Sequence, residues 1–64
     1  MRVNGEEIQL ERETALPDFL KSGGYDAARI AVERNGEIVP KSMYGECILN
    51  DADTLEIVQF VGGG

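Results

Sequence analysis

The stretch TLEIVQFV, residues 54–61, is the densest run of β-branched and aromatic side chains in the chain, and it leads directly into Gly62, Gly63 and Gly64. Val, Ile, Thr and Phe fit the pleated, half-buried surface of a sheet, so the run reads as a strand. Successive side chains on a strand point to opposite faces. Leu55 and Ile57 therefore share one face, and Glu56, Val58 and Phe60 share the other. With the leucine and isoleucine turned to a core, Val58 and Phe60 lie outside, just before the glycines.

Working back from this strand, the segment Asn50–Asp53 is rich in turn formers, because short Asn and Asp side chains hydrogen-bond their own backbone. Before it, KSMYGECILNDAD, residues 41–53, predicts a short helical turn near Met43 and Tyr44 and a brief strand at Ile48 and Leu49. ARIAVERNGEIVP, residues 28–40, alternates Ile30 and Val32 against Ala31 and Glu33. It then turns at Asn35-Gly36, a pair suited to positive φ, and returns through Ile38 and Val39 to Pro40. That is a hairpin. MRVNGEEIQL, residues 1–10, repeats the pattern around Asn4-Gly5, with Ile8 and Leu10 as the expected inward positions of its second strand. Between the two hairpins the period changes: Leu16, Phe19 and Leu20 fall at i, i+3 and i+4, one face of a helix. Thr14 is the expected N-cap, Pro17 fits only a first turn, Asp18 suits the positive helix end, and Gly23-Gly24 stops the helix.

The predicted order is β-β-α-β-β-β. A mixed sheet wrapped over one short helix buries the apolar faces of these elements in one layer pair, an α+β architecture of the β-grasp, ubiquitin-like kind. The expected core is Val3, Ile8, Leu10, Leu16, Phe19, Leu20, Ile30, Val32, Leu49, Leu55 and Ile57. The expected division is a β-grasp domain over residues 1–61 and a flexible glycine tail over residues 62–64.

Composition narrows the chemistry. Sixty-four residues give one small domain with no room for an enclosed active site, and a 42% hydrophobic, 28% charged chain is ordinary for a globular fold. Twelve acidic against six basic residues, a formal charge of −6, repel a phosphate backbone, so no nucleic-acid partner is expected. The first ten residues lack a signal-peptide apolar region and no stretch suits a membrane span, so no membrane partner is expected. One cysteine and no histidine exclude an internal disulfide and a typical zinc site, and fit a reducing, cytoplasmic setting.

Candidate sites are few. Nothing in YGECIL, residues 44–49, supplies a cation or histidine that would stabilise a Cys47 thiolate, and Glu46 disfavours one, so Cys47 is expected to be structural. The carboxylates of NGEE, ERE and NDADT match no calcium loop, and turn chemistry accounts for them. No phosphate-binding loop or catalytic triad is present, so neither catalytic residues nor a metal site is expected. Gly62, Gly63 and Gly64 remain. Without Cβ atoms they can thread a channel too narrow for other residues, and a carboxylate at their end could be delivered into another protein's active site. A carboxylate is a poor electrophile and needs activation, for example as an acyl-adenylate, before a sulfur or nitrogen nucleophile can displace the leaving group. Taken alone, the triple glycine favours the duller reading of a disordered terminus, since glycines are common where order ends.

VNGEE near the start, IAVERNGEIVPKSMY in the middle and ILNDADTLEIVQFVGGG at the end together resemble the ThiS family of sulfur carrier proteins of thiamine biosynthesis, over essentially the whole chain. The resemblance implies that Gly64 is the site of adenylation and thiocarboxylate formation, that Gly62 and Gly63 thread into the partner, and that Val58 and Phe60 dock it. It implies a ThiF-type adenylyltransferase that uses ATP and magnesium, a persulfide-bearing sulfur donor such as a cysteine desulfurase, and a ThiG-type thiazole synthase that receives the sulfur. No cofactor would be bound by the chain itself, and it would be a protein co-substrate rather than an enzyme. A sister carrier for molybdopterin, cysteine or tRNA thiolation, or a non-catalytic β-grasp adaptor with inert glycines, is the alternative expectation.

Overall fold

The computed structural model describes residues 1–60. A five-stranded mixed sheet and one short α-helix form the scaffold, in the order β1 (Arg2–Val3), β2 (Glu6–Glu7), β3 (Thr14–Ala15), α1 (Leu16–Ser22), β4 (Ile30–Arg34), β5 (Glu37–Ile38), β6 (Ile48–Leu49) and β7 (Thr54–Gln59). The sheet order is β2-β1-β7-β4-β5, with β1 parallel to β7 and the other neighbours antiparallel; β3 and β6 pair separately. The β-grasp expected from the sequence is the observed fold. Two 3-10 turns, Ala27–Arg29 and Lys41–Glu46, join the elements, the second covering the turn expected near Met43 and Tyr44. Among the described residues no helix is long and apolar enough to cross a membrane.

Both hairpins turn as their Asn-Gly pairs dictate. Asn4 and Gly5 have φ of 51° and 84°, and Asn35 and Gly36 have 51° and 85°, the paired positive angles of a turn whose twist matches the flanking strands. The helix stops at Gly23-Gly24, where Gly24 (φ 79°) lets the Tyr25 N–H donate back to Leu20 O at 2.9 Å. Its start differs from the expectation. Thr14 is not the N-cap: Ala15 occupies that position, and the Thr14 hydroxyl donates to Arg12 O at 3.1 Å. Thr14 and Ala15 are instead drawn into extended pairing with Leu49 and Ile48, and the Leu16 N–H donates to Cys47 O at 2.8 Å. Tertiary pairing satisfies the backbone there, so no side-chain cap is required.

The core lies between the inner sheet face and α1, where Leu16, Leu20, Ile30, Val32, Leu49 and Leu55 are completely buried. Val3 and Ile57 complete the expected set, while Leu10 and Phe19 are only partly buried and pack against it. Ile8 is the clear exception, at 38% exposure. It lies beside Met1 on the edge of the sheet, with reciprocal bonds from Ile8 N to Met1 O and Met1 N to Ile8 O, and Met1 fills the core position in its place. Met1, Tyr44 and Cys47 are buried core residues that periodicity does not reveal, because they sit at a chain end or in a 3-10 turn rather than in a repeating element.

One polar network is buried among these side chains. Arg34, on the inward parity of β4, sets Nη2 2.9 Å from Asp53 Oδ2, and Asp53 is only 5% exposed. Asp53 also accepts from the Asn50 N–H at 2.9 Å and from Asn35 Nδ2 at 3.0 Å. Burial by itself would raise the Asp53 carboxyl, but the Asn50 amide, the Asn35 side chain and the Arg34 guanidinium outweigh it and hold the group below the ordinary aspartate value. A lowered folded value means that the stabilisation is complete above the unfolded aspartate value of about 3.9 and is lost as pH falls through the folded one. We expect Asp53→Asn to lower unfolding stability at neutral pH by about 2–4 kcal/mol. Urea titrations from pH 7 down to about 3 should show a shallower acid loss in the variant than in the parent; an equal slope would remove Asp53 as the cause.

Candidate functional site

The outer face of the sheet is built by β4 and β7. Their register pairs Ala31 with Val58, Val32 with Ile57 and Glu33 with Glu56. At one end the Asn35 N–H donates to Thr54 O at 2.8 Å, and at the other the Phe60 N–H donates to Arg29 O at 2.8 Å. Antiparallel pairs alternate between hydrogen-bonded and non-hydrogen-bonded, so Ala31/Val58 and Glu33/Glu56 occupy hydrogen-bonded sites with Cα atoms about 5.5 Å apart.

Strand parity places Leu55 and Ile57 inside, as the sequence predicts, and turns Glu56, Val58 and Phe60 outward. Val58 is 57% exposed and Phe60 55%. The two sequence-predicted docking residues thus share the outer face at the end of the central strand, and the small Ala31 opposite Val58 leaves the valine side wall uncovered. The bond from Phe60 N to Arg29 O holds the backbone in line beyond the last residue of β7. Gly62, Gly63 and Gly64, the other predicted site residues, lie outside the described residues, as does the expected boundary between domain and tail at residues 61 and 62.

Cys47 is buried in the core, as a structural role requires, but it is not without a cation. Arg34 Nη1 lies 3.8 Å from its sulfur, brought from β4 rather than from the local sequence. A surface cleft of about 350 Å³ runs past this pair, between Ile38, Val39, Pro40 and Met43. In the acidic loop before β7, Asn50 Oδ1 performs the expected turn chemistry, accepting from the Ala52 N–H at 2.9 Å, whereas Asp51 makes long-range contacts instead, accepting from the Met1 ammonium at 2.8 Å and the Leu10 N–H at 3.0 Å. Among the described residues no group of three or more Cys, Asp and Glu side chains is arranged to hold a metal. Sequence reasoning misses the Arg34–Asp53 brace, whose only signal is the inward parity of an arginine, and the facing of Glu33 on Glu56, which strand register alone decides.

The ThiS family model matches residues 1–64. The chain is 40% identical over 65 residues to the sulfur carrier protein ThiS of Bacillus subtilis, covering all of this chain and 98% of that protein. It is 48% identical over 62 residues to a thiazole synthase of Paramagnetospirillum magneticum, covering 97% of this chain. The chain spans only about a fifth of the length of that protein and of a second thiazole synthase that it matches (19% and 20%). The crystal structure of a thiamine biosynthesis protein (ThiS) from Geobacter metallireducens superposes with a TM-score of 0.82 at 26% identity, covering 98% of this chain and 96% of that one.

Phe60→Asp should leave the domain folded, with stability changed by less than about 1 kcal/mol. Ile57→Asp buries an unpaired charge in the core and should abolish the cooperative urea transition. Unfolding of the Phe60 variant would show that this ring belongs to the core.

Proposed function

The chain belongs to the ThiS family, and from that premise we propose that it is a sulfur carrier of thiamine biosynthesis whose working atom is the carboxyl carbon of Gly64. The single observation that supports this most is the match to the Bacillus subtilis sulfur carrier across the whole of both chains. The outward pair Val58 and Phe60 beside the glycines agrees with it.

The reaction we propose requires nothing catalytic from the chain itself. A ThiF-type adenylyltransferase binds ATP with magnesium; a Gly64 carboxylate oxygen attacks the α-phosphorus, and pyrophosphate leaves. The resulting acyl-adenylate has a good leaving group where the carboxylate had none. The terminal sulfur of a persulfide, supplied by a donor such as a cysteine desulfurase, then attacks the carbonyl carbon and AMP departs, leaving an acyl disulfide. A thiol attacks the sulfur distal to the carbonyl, and the sulfur–sulfur bond breaks to release the thiocarboxylate and a disulfide. The thiocarboxylate is a soft nucleophile that gives its sulfur to the thiazole ring when it meets a ThiG-type thiazole synthase. Similarity to one region of two thiazole synthases supports that last partner, since a carrier-like segment joined to the consuming enzyme keeps donor and acceptor at high effective concentration.

Residues 62–64 suit this task because a glycine segment can pass through a channel that excludes Cβ atoms and can adopt backbone angles closed to other residues. The scaffold supplies affinity and position, so that activation at the far end of the glycines becomes effectively unimolecular. Incubation with a ThiF-type enzyme, ATP, magnesium and a sulfur source should give an intact mass increased by the exchange of one oxygen for sulfur. Deletion of Gly64 should abolish both this change and rescue of a thiazole-requiring strain. An unmodified mass, together with rescue by the shortened chain, would end the proposal.

A further inference from the structure

Two of the three asparagines, Asn4 and Asn35, precede glycine, and the third, Asn50, precedes Asp51. An asparagine side chain can be attacked by the backbone nitrogen of the residue that follows it. Glycine has no Cβ to hinder that approach. A carbon added at Gly5 or Gly36 would meet nothing within 4 Å, so both turns are open on that side. In the reaction the glycine nitrogen bonds to the asparagine Cγ and the Cγ–Nδ2 bond breaks. The proton lost by the nitrogen leaves with the amide group as ammonia, and a succinimide ring closes. Water, the only co-reactant, then opens the ring at either carbonyl. The products are aspartate and isoaspartate, in which the chain runs through the side-chain carbon.

In the folded chain both side chains are engaged elsewhere. Asn4 is held on Ile57, with Oδ1 accepting from N at 2.7 Å and Nδ2 donating to O at 3.2 Å. Asn35 is held where the same strand begins: Oδ1 accepts from the Thr54 N–H at 2.9 Å, and Nδ2 donates to Asp53 Oδ1 at 3.0 Å. Each amide must let go of these partners before its Cγ can reach the glycine nitrogen. Both asparagines are exposed turn residues, so water has access and hydrogen bonding, not burial, restrains them. We propose that Asn4 and Asn35 are a coupled pair of deamidation sites, held back by their hydrogen bonds at β7, so that conversion of one hastens conversion of the other. The products cannot remake the contacts. Aspartate at position 35 sets a second carboxylate against that of Asp53, where like charges repel. Aspartate at position 4 turns an acceptor-only group to the Ile57 carbonyl. Isoaspartate adds a backbone atom to a two-residue turn whose length fixes the register. In each case β7 loses a tether, and the remaining clasp opens more often.

The test is peptide mapping by mass spectrometry during incubation at mildly alkaline pH, with isoaspartate counted by a protein-isoaspartate methyltransferase and labelled S-adenosylmethionine. In urea that unfolds the chain, Asn4 and Asn35 should convert at similar rates, well ahead of Asn50. In the folded protein both should react about tenfold more slowly or less, since two hydrogen bonds must open first. Folded Asn35→Asp should convert at Asn4 about threefold faster than the parent. Asn35→Ser, which removes the amide without adding charge, should accelerate Asn4 as well. Each variant is compared with the parent in enough urea to give the same unfolded fraction, so that global unfolding does not pass for coupling. Equal rates in the folded and unfolded parent, or an Asn4 rate in both variants no greater than in the matched parent, would overturn the proposal. Acceleration by Asn35→Asp alone would also overturn it, because the added charge and not the lost tether would then be the cause.

Discussion

The structure depends on the two-sided character of β7. This strand lies in the middle of the sheet, parallel to β1 and antiparallel to β4, and its faces cannot be exchanged. A slip of one residue would carry Leu55 and Ile57 into solvent and bring Glu56 and Val58 against the helix. Losing two buried aliphatic side chains would cost about 3–6 kcal/mol by transfer alone, a large part of the stability available to a domain of this length. The inner face therefore determines what the outer face presents.

Several polar contacts fix the register that the hydrophobic pattern demands. Asn4 clasps the backbone of Ile57 from the first turn, and Asn35 Oδ1 accepts from the Thr54 N–H at 2.9 Å from the second, so both Asn-Gly turns are tied to the central strand by their own side chains. Arg34 and Asp53 close the same end from inside the sheet. Asparagine in these turns thus does two jobs: it tolerates a positive φ, and it supplies the amide that locks a strand distant in sequence. A substitution that kept the turn but removed the amide would keep the hairpin and loosen its hold on β7.

The sequence made the elements of local origin legible. The two Asn-Gly turns, the i, i+3, i+4 face of α1, its Gly-Gly stop and the alternation of β7 are each determined by neighbouring residues, and each is found in the structure. What depended on distant residues was not legible. Thr14 has the composition of a cap but is recruited into pairing with β6, and Ile8 has the parity of a core residue but lies on a sheet edge with Met1 occupying the interior. The local sequence around Cys47 lacks a cation, yet register brings Arg34 to its sulfur. The candidate surface divides the same way: parity alone exposes Val58 and Phe60, whereas the carboxylate facing Glu56 could be identified only once β4 was aligned against β7.

A domain this small has little stability to lose, so an unrelieved repulsion between facing carboxylates is a cost that must be small or compensated elsewhere. Cross-strand effects of about 0.2–1 kcal/mol are tolerable, and the buried Ile30, Val32, Leu55 and Ile57 on the inner face of the same strands offset them. Among the described residues the outer face can then remain unsatisfied, with the facing carboxylates of Glu33 and Glu56 lacking an ion-pair partner and Val58 and Phe60 exposed. Because the two deficits occupy adjacent pairs of one ladder, their relative positions are set by strand spacing rather than by loop conformation.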